Sequence, residues 1–146
     1  MADKLEVDLA VAKSQLQYVN RNDWVLILDK AKLLNFKKDE TLIQMGKQPA
    51  MVIVIMKGKA EVRNGFGVKI AEICPGEICG EMAFLENGKA SASVVAEEAM
   101  VVYGVDWPTL QDLFELYPPL ASRFYRSLAV GLSRRLRGQI SRIASS

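Results

Sequence analysis

Between residues 4 and 19 apolar side chains recur at Leu5, Leu9, Ala12, Leu16 and Val19. Steps of three and four predict an amphipathic helix with one apolar stripe. A shorter helix is expected over 22–33, with Asn22 or Asp23 as its N-cap. After Phe36 the pattern changes. Short β-type runs at 41–45, 51–56, 59–63, 68–73, 91–96 and 100–105 alternate with Gly46, Gly58, Asn64-Gly65, Pro75-Gly76 and Asn87-Gly88. Such punctuation predicts a sandwich or barrel. Asn64-Gly65 fits a two-residue hairpin turn, because both residues tolerate positive φ. Gly80-Glu81-Met82-Ala83-Phe84-Leu85-Glu86 breaks the rhythm: a glycine followed by good helix formers predicts a short helix set between strands. Helices resume at Asp106, a cap with Pro108 in the following turn, and Tyr117-Pro118-Pro119 divides that helix from the last. The last helix carries Leu120, Phe124, Leu128, Leu132, Leu136, Ile140 and Ile143, an apolar face about six turns long. Part of that face is expected on the barrel and part on another subunit. The expected fold is mainly β with flanking helices: one domain over 1–146, with N-terminal helices over 1–35, a β-barrel over 36–106 holding an inserted helix at 81–86, and C-terminal helices over 107–143.

Composition changes this picture little, but it excludes several chemistries. The chain has 146 residues, half of them hydrophobic and 25% charged, ordinary values for one globular domain with a real core. No run reaches the roughly 18 apolar residues of a membrane span. The start, Met1-Ala2-Asp3-Lys4-Leu5-Glu6, lacks the charged-then-apolar pattern of a signal segment, so the expected compartment is the cytoplasm. Net charge is +2, unevenly placed: residues 1–119 carry −4, and residues 120–146 carry six arginines and no acid. A basic helix of this kind either faces water or offers weak, salt-dependent contact to nucleic acid or an anionic membrane. Cys74 and Cys79 are too few for a zinc site, with no histidine to complete one, and read as buried hydrophobes. No nucleophile elbow or Walker glycine loop is present. The pair Glu97-Glu98 falls in a turn and reads as solvated; Trp24 and Trp107 read as packing residues. Nothing suggests an enzyme or a metal site.

The chemistry that remains lies around the inserted helix. The first N–H groups of a helix have no partner within it, and with the helix dipole they attract anions. Gly80 lets a ligand approach the backbone closely. Glu81, in the first turn, can accept hydrogen bonds from sugar hydroxyls, and Ser91 can donate its hydroxyl to the same anion. These features describe a pocket for a phosphate joined to a sugar. As plain structure, the same residues are a turn glycine, a first-turn acid and a strand-edge hydroxyl.

The stretches Ile43-Gln44-Met45-Gly46 and Val52-Ile53-Val54-Ile55-Met56-Lys57-Gly58-Lys59-Ala60-Glu61-Val62 resemble the opening strands of cyclic-nucleotide-binding domains. Pro75-Gly76-Glu77-Ile78-Cys79-Gly80-Glu81-Met82-Ala83-Phe84-Leu85, with Ser91-Ala92-Ser93-Val94-Val95-Ala96, resembles their phosphate-binding cassette. The likeness runs from about residue 20 to 140. It implies a double-stranded β-helix, or jelly-roll, barrel with N-terminal helices and a long C-terminal helix. It implies cyclic AMP or cyclic GMP as ligand, with no cofactor. The cyclic phosphate falls to Gly80, Met82 and Ala83, the ribose 2′-hydroxyl to Glu81, and phosphate or base to Ser91; Ala92 is counted with them in the ligand-binding stretch. An aromatic of the last helix, Phe124 or Tyr125, is a candidate to stack on the base.

The cassette arginine of the family is missing. Ala90 stands in its place and Lys89 precedes it. An arginine fork gives two charge-assisted bonds, each worth about 1.5–3 kcal/mol, so its loss weakens binding roughly ten- to hundred-fold or more. Lys89 shares a face with Ser91 if the strand begins at 89, and would supply charge without the planar two-point geometry. Two functions follow. One is a regulatory domain that senses a cyclic nucleotide or a related small anion and relays it through movement of its last helix about Tyr117-Pro118-Pro119. The other is a docking or oligomerisation module that has lost the ligand. Either has a homodimer through the last helix, or another protein, as partner. Catabolite-activator-type regulators place a helix-turn-helix after this helix, whereas this chain ends at Ser146, so nucleic acid is not the expected partner.

Overall fold

In a computed structural model that describes residues 2–13 and 15–145, without the side chains of residues 144 and 145, eight strands form two four-stranded sheets. They are β1 (Lys32–Phe36), β2 (Thr41–Ile43), β3 (Met51–Lys57), β4 (Ala60–Arg63), β5 (Lys69–Ile73), β6 (Ile78–Cys79), β7 (Ser93–Ala96) and β8 (Met100–Asp106). One sheet runs β1-β8-β3-β6 and the other β2-β7-β4-β5, with every pairing antiparallel. Five helices accompany them: α1 (Lys4–Lys13), α2 (Arg21–Asp29), α3 (Glu81–Glu86), α4 (Trp107–Leu116) and α5 (Pro118–Ser145).

The unbroken apolar run of β3 follows from burial on both faces. Ile53 and Ile55 point between the sheets, where they meet Ile43, Ala60, Val94, Ala96, Met100 and Val102. Val52, Val54 and Met56 alternate to the other face and join Trp24, Leu28, Leu110, Leu120 and Phe124 of the helices. The sheet β1-β8-β3-β6 is therefore the middle layer, and the helices reach the rest of the fold through it.

Several local expectations are corrected. The first helix stops at Lys13 instead of continuing to Val19, and Ser14 lies outside the described residues, as do Met1 and Ser146. Its buried face is Val7 and Ala10, while Leu5 is 77% exposed. Leu16 and Val19 are buried all the same, from a turn that the Tyr18 N–H anchors on Ser127 Oγ at 2.9 Å. The cap of α2 is Asn20, earlier than expected. Asn20 Oδ1 accepts from the Asp23 N–H, and Asp23 Oδ2 accepts from the Asn20 N–H, a reciprocal capping box. The helix then ends at Asp29, and residues 32–36 form strand β1, ahead of the change in texture at Phe36. The Asn64-Gly65 hairpin is longer than two residues: the Asn64 N–H donates to the Val68 carbonyl at 3.0 Å, and the positive φ falls on Gly67. Cys79 is buried as expected, but Cys74 is only half-buried. Glu97 is not a solvated turn acid, since it pairs with Lys59 and Lys69.

Asp106 caps α4 as expected, accepting from the Thr109 N–H at 2.8 Å. The long helix α5 divides in two by burial. Leu120, Phe124 and Leu128 are buried, whereas Leu132, Leu136, Ile140 and Ile143 are exposed. No helix among the described residues is long and apolar enough to cross a membrane.

Candidate functional site

Strand β6 is only two residues long, paired to β3 through Ile53–Cys79 and Val54–Ile78. It delivers the chain to Gly80 at the edge of the middle sheet. Gly80 has φ +87°, and a Cβ there would lie 2.7 Å from the Met51 carbonyl oxygen. That conformation and that contact both require glycine. Gly80→Ala should therefore destabilise the protein by about 1–3 kcal/mol, read as a lower thermal midpoint; an unchanged midpoint would show that the β3 edge yields to the methyl.

Gly80 is the N-cap of α3 and offers no side chain to its amides. The Glu81 N–H is engaged by its own carboxyl, and the N–H groups of Met82 and Ala83 are left to meet a ligand or water. The helix is held from behind by Phe84, whose ring meets Trp107, Phe114 and Phe124 edge-on at 5.6–6.0 Å between centroids. Phe124 and Tyr125 belong to this packed group. Neither lines the cleft described next, so neither is placed to stack on a base there.

In front of α3 lies an open cleft of about 390 Å³, within the range of small-molecule sites. Gly80, Glu81, Met82, Ala83, Lys89, Ala90, Ser91 and Ala92 all line it. Ser91 and Ala92 sit in a bend before β7, which starts at Ser93 and not at 91. Ala90 is pinned by its backbone: its N–H donates to the Lys47 carbonyl, and its own carbonyl accepts from the Gly46 N–H, both at 2.9 Å. Lys89 is exposed at the rim.

Glu81 is the unusual group. Its residue is 8% exposed, and its Oε2 is buried without a hydrogen-bond partner. Burial pushes the carboxyl above its ordinary value, against the pull of its own backbone N–H and of the Arg135 charge. Burial, and then the Glu81 charge, push the neighbouring Cys79 thiol up as well. Native folds seldom leave a buried oxygen unpaired, because doing so costs about 1–3 kcal/mol. A buried oxygen of this kind, on a residue that lines the cleft, is an acceptor waiting for a donor.

Several cleft residues escaped the sequence reading, among them Gln15, Arg135 and the acids Glu72 and Glu86. Gln15, expected within a helix, lies beyond the end of α1 and donates to Glu77 Oε2 at 3.3 Å. Arg135 reaches the same cleft from α5, two turns beyond the last buried leucine, Leu128. The only signal for it was its place in the helical ladder of α5, which the arginine-rich composition of that helix hides.

The sequence profile described as Cyclic nucleotide-binding domain matches residues 33–117. Among curated proteins, "Cyclic GMP-binding protein C" of Dictyostelium discoideum is 28% identical over 136 residues, covering 85% of this chain and 5% of its own length. The chain spans between 5% and 30% of the curated relatives it matches. A solved cyclic nucleotide-binding domain from Methylobacillus flagellatus superposes with a TM-score of 0.76 at 19% identity, over 95% of this chain and 83% of that one. The Catabolite Activator Protein of Thermus thermophilus gives 0.72 at 24% identity, over 89% and 61%. These likenesses show the jelly-roll fold, and a profile matched across more than half of the sequence goes further: the chain belongs to the cyclic nucleotide-binding domain family.

Proposed function

We propose that residues 1–146 act as one regulatory domain that binds a cyclic nucleotide between α3 and the distal part of α5, and relays its presence through α5 without doing chemistry of its own. The observation that carries this reading is the unpartnered, buried Oε2 of Glu81 beside the uncapped start of α3. A ribose hydroxyl satisfies the first and a cyclic phosphate the second. Gly80, Met82 and Ala83 would hold the phosphate through their backbone, Ser91 through its hydroxyl, with Lys89, Ala90 and Ala92 forming the opposite wall. Cyclic AMP and cyclic GMP are the ligands to try, and the cytoplasm is the compartment that holds them.

Packing favours one route for the relay. The first turns of α5 are fixed to the body by Leu120, Phe124 and Leu128, and by a bidentate pair of Arg123 with Asp23 at 2.7 Å. Rotation of the whole helix about Tyr117 would break those contacts. Movement confined to the segment past Leu128 breaks none of them, and that segment carries the exposed Leu132, Leu136, Ile140 and Ile143. A ligand can bias that segment only through its different affinity for two positions of it. A second subunit on the exposed leucines and isoleucines would read the change.

The test is thermal melting with millimolar cyclic AMP, cyclic GMP and cyclic dinucleotides. A ligand present at 100 times its dissociation constant stabilises by about 2.7 kcal/mol, a rise in midpoint of roughly 5–10 °C for a chain of this size. The second reading, a docking module that has lost its ligand, is favoured by Ala90. A flat response to every nucleotide, together with concentration-dependent dimerisation, would establish it in place of the first.

A further inference from the structure

We propose that Arg135 supplies to the bound anion the guanidinium that Ala90 does not, so that the charge-reading residue of this site is carried on α5 instead of on the cassette. This rests on the cleft being a cyclic-nucleotide site, as proposed above. Among the described residues the cleft has two cations on its walls, Lys89 and Arg135, set among the carboxylates of Glu72, Glu77, Glu81 and Glu86, of which Glu72 is already matched by Lys59 and Lys69. Lys89 is an exposed side chain on the loop before Ala90, and an ammonium in water is a weak and undirected anion reader. Arg135 comes to the cleft from α5. It lines both the main cleft and the narrow crevice where α3 faces α5, beside Glu81, Met82, Leu128 and Gly131.

The state of Arg135 fits a group held ready. Its charge acts on the buried Glu81 carboxyl from a distance, but among the described residues no carboxylate lies within ion-pair distance of it, and its contact with Gln15 Oε1 is long, 3.5 Å. Asp23, by contrast, takes both arms of Arg123 at 2.7 Å. A guanidinium that is not already paired retains its fork for a phosphate, whose oxygens match it in two-point geometry. Gly131, one helical turn earlier, adds no side chain, and nothing lies within 4 Å of where its Cβ would be. That leaves open space along the approach from α5 to the cleft.

The consequence differs from that of an arginine fixed on the cassette. An anion bound through Arg135 draws the distal α5 toward the cleft by the same bond that gives affinity. Binding strength and helix position are then one quantity, and a variant that loses the first loses the second.

The experiment is calorimetric titration of the full chain and its Arg135→Gln, Arg135→Lys and Arg134→Gln variants with cyclic AMP and cyclic GMP, and with the neutral nucleosides adenosine and guanosine. Circular dichroism establishes that each variant is folded. The expected result is that Arg135→Gln weakens the cyclic nucleotide roughly ten- to hundred-fold and leaves the nucleoside unchanged. Arg135→Lys should fall between it and the parent, and Arg134→Gln should match the parent. Parent-level affinity in Arg135→Gln overturns the inference and leaves the cyclic-nucleotide site standing. An equal loss for nucleoside and cyclic nucleotide also overturns it, because Arg135 then shapes the cleft without reading charge. A parent protein that binds no cyclic nucleotide overturns both readings.

Discussion

Replacing Asp23 by alanine is expected to cost about 3 kcal/mol of folding stability and to lower the thermal midpoint on the order of 10 °C. Asp23 is 2% exposed, yet it is charged, and it survives there because every oxygen is used. Oδ2 accepts from Arg123 Nε at 2.7 Å and from the Asn20 N–H at 3.0 Å, and Oδ1 accepts from Arg123 Nη2 at 2.7 Å. Removing the carboxylate opens the capping box of α2 and leaves Arg123 unmatched against a closed surface. The Arg123 side chain is 37% exposed, so water takes over part of its charge, which keeps the cost below that of a fully buried pair. Burial alone would raise the Asp23 carboxyl; the Arg123 hydrogen bonds, the Asn20 N–H and the Arg123 charge outweigh it and hold the group below 3.8. A carboxyl lowered by folding stabilises above its unfolded value and loses that contribution as pH falls through its folded value. The gap between parent and Asp23→Ala should therefore be full at neutral pH and close in acid below about pH 4. Arg123→Ala, and the two changes together, complete a cycle in which the double variant costs less than the sum. Additive costs, or a gap that persists in strong acid, would separate Asp23 from Arg123 and unfasten α5 from α2.

That clamp illustrates what the sequence hides. Asp23 is legible as a helix-start residue, but not as one of a pair with a residue a hundred positions away, on a helix whose arginines all look alike in composition. The same limit applies to Arg135. Where a feature is local, the sequence carries it. The run from Gly80 to Glu86 announces α3 because a glycine of positive φ followed by helix formers has few other uses, and Asp106 with Pro108 announces α4. Strands with a full apolar run, such as β3, are legible because both of their faces are buried. Failures came where tertiary context overrides a local pattern. The stripe Leu5-Leu9-Ala12 is a better helical face than Val7-Ala10, yet the fold buries the latter. The strands β1 and β6 are an edge strand of mixed polarity and a two-residue bridge, and neither has a pattern long enough to register. The exposed end of α5 follows from the length of its apolar ladder: the body of the domain covers Leu120, Phe124 and Leu128 and ends there.

Glu81→Gln should move stability and affinity in opposite directions, and that opposition is what distinguishes a site from a structural acid. In the protein without ligand, the carboxylate is buried, and its Oε2 has no donor. Its folded pKa lies above 4.5, so the folded protein still holds the proton at pH values where the unfolded chain has released it. Stability contributed by this group therefore falls as pH rises through 4.5 and past the raised folded value, then levels off. A neutral amide of the same shape removes that loss. At neutral pH Glu81→Gln should melt higher than the parent, by about 1–2 kcal/mol of stability, and the difference should vanish below about pH 4, where the parent carboxyl is also neutral. With cyclic AMP or cyclic GMP present the order reverses. The ribose hydroxyl then donates to the carboxylate, and a hydrogen bond to a charged acceptor is worth about 1.5–3 kcal/mol, so the variant should bind roughly ten- to hundred-fold more weakly. Melting curves from about pH 3 to 8, with and without nucleotide, give both numbers from one preparation. If the amide lowers the midpoint of the unliganded protein, the carboxylate has a partner that holds the fold together, and Glu81 is a structural acid. If it raises the midpoint and leaves affinity untouched, the empty acceptor faces no hydroxyl, and the ribose must be read from elsewhere in the cleft.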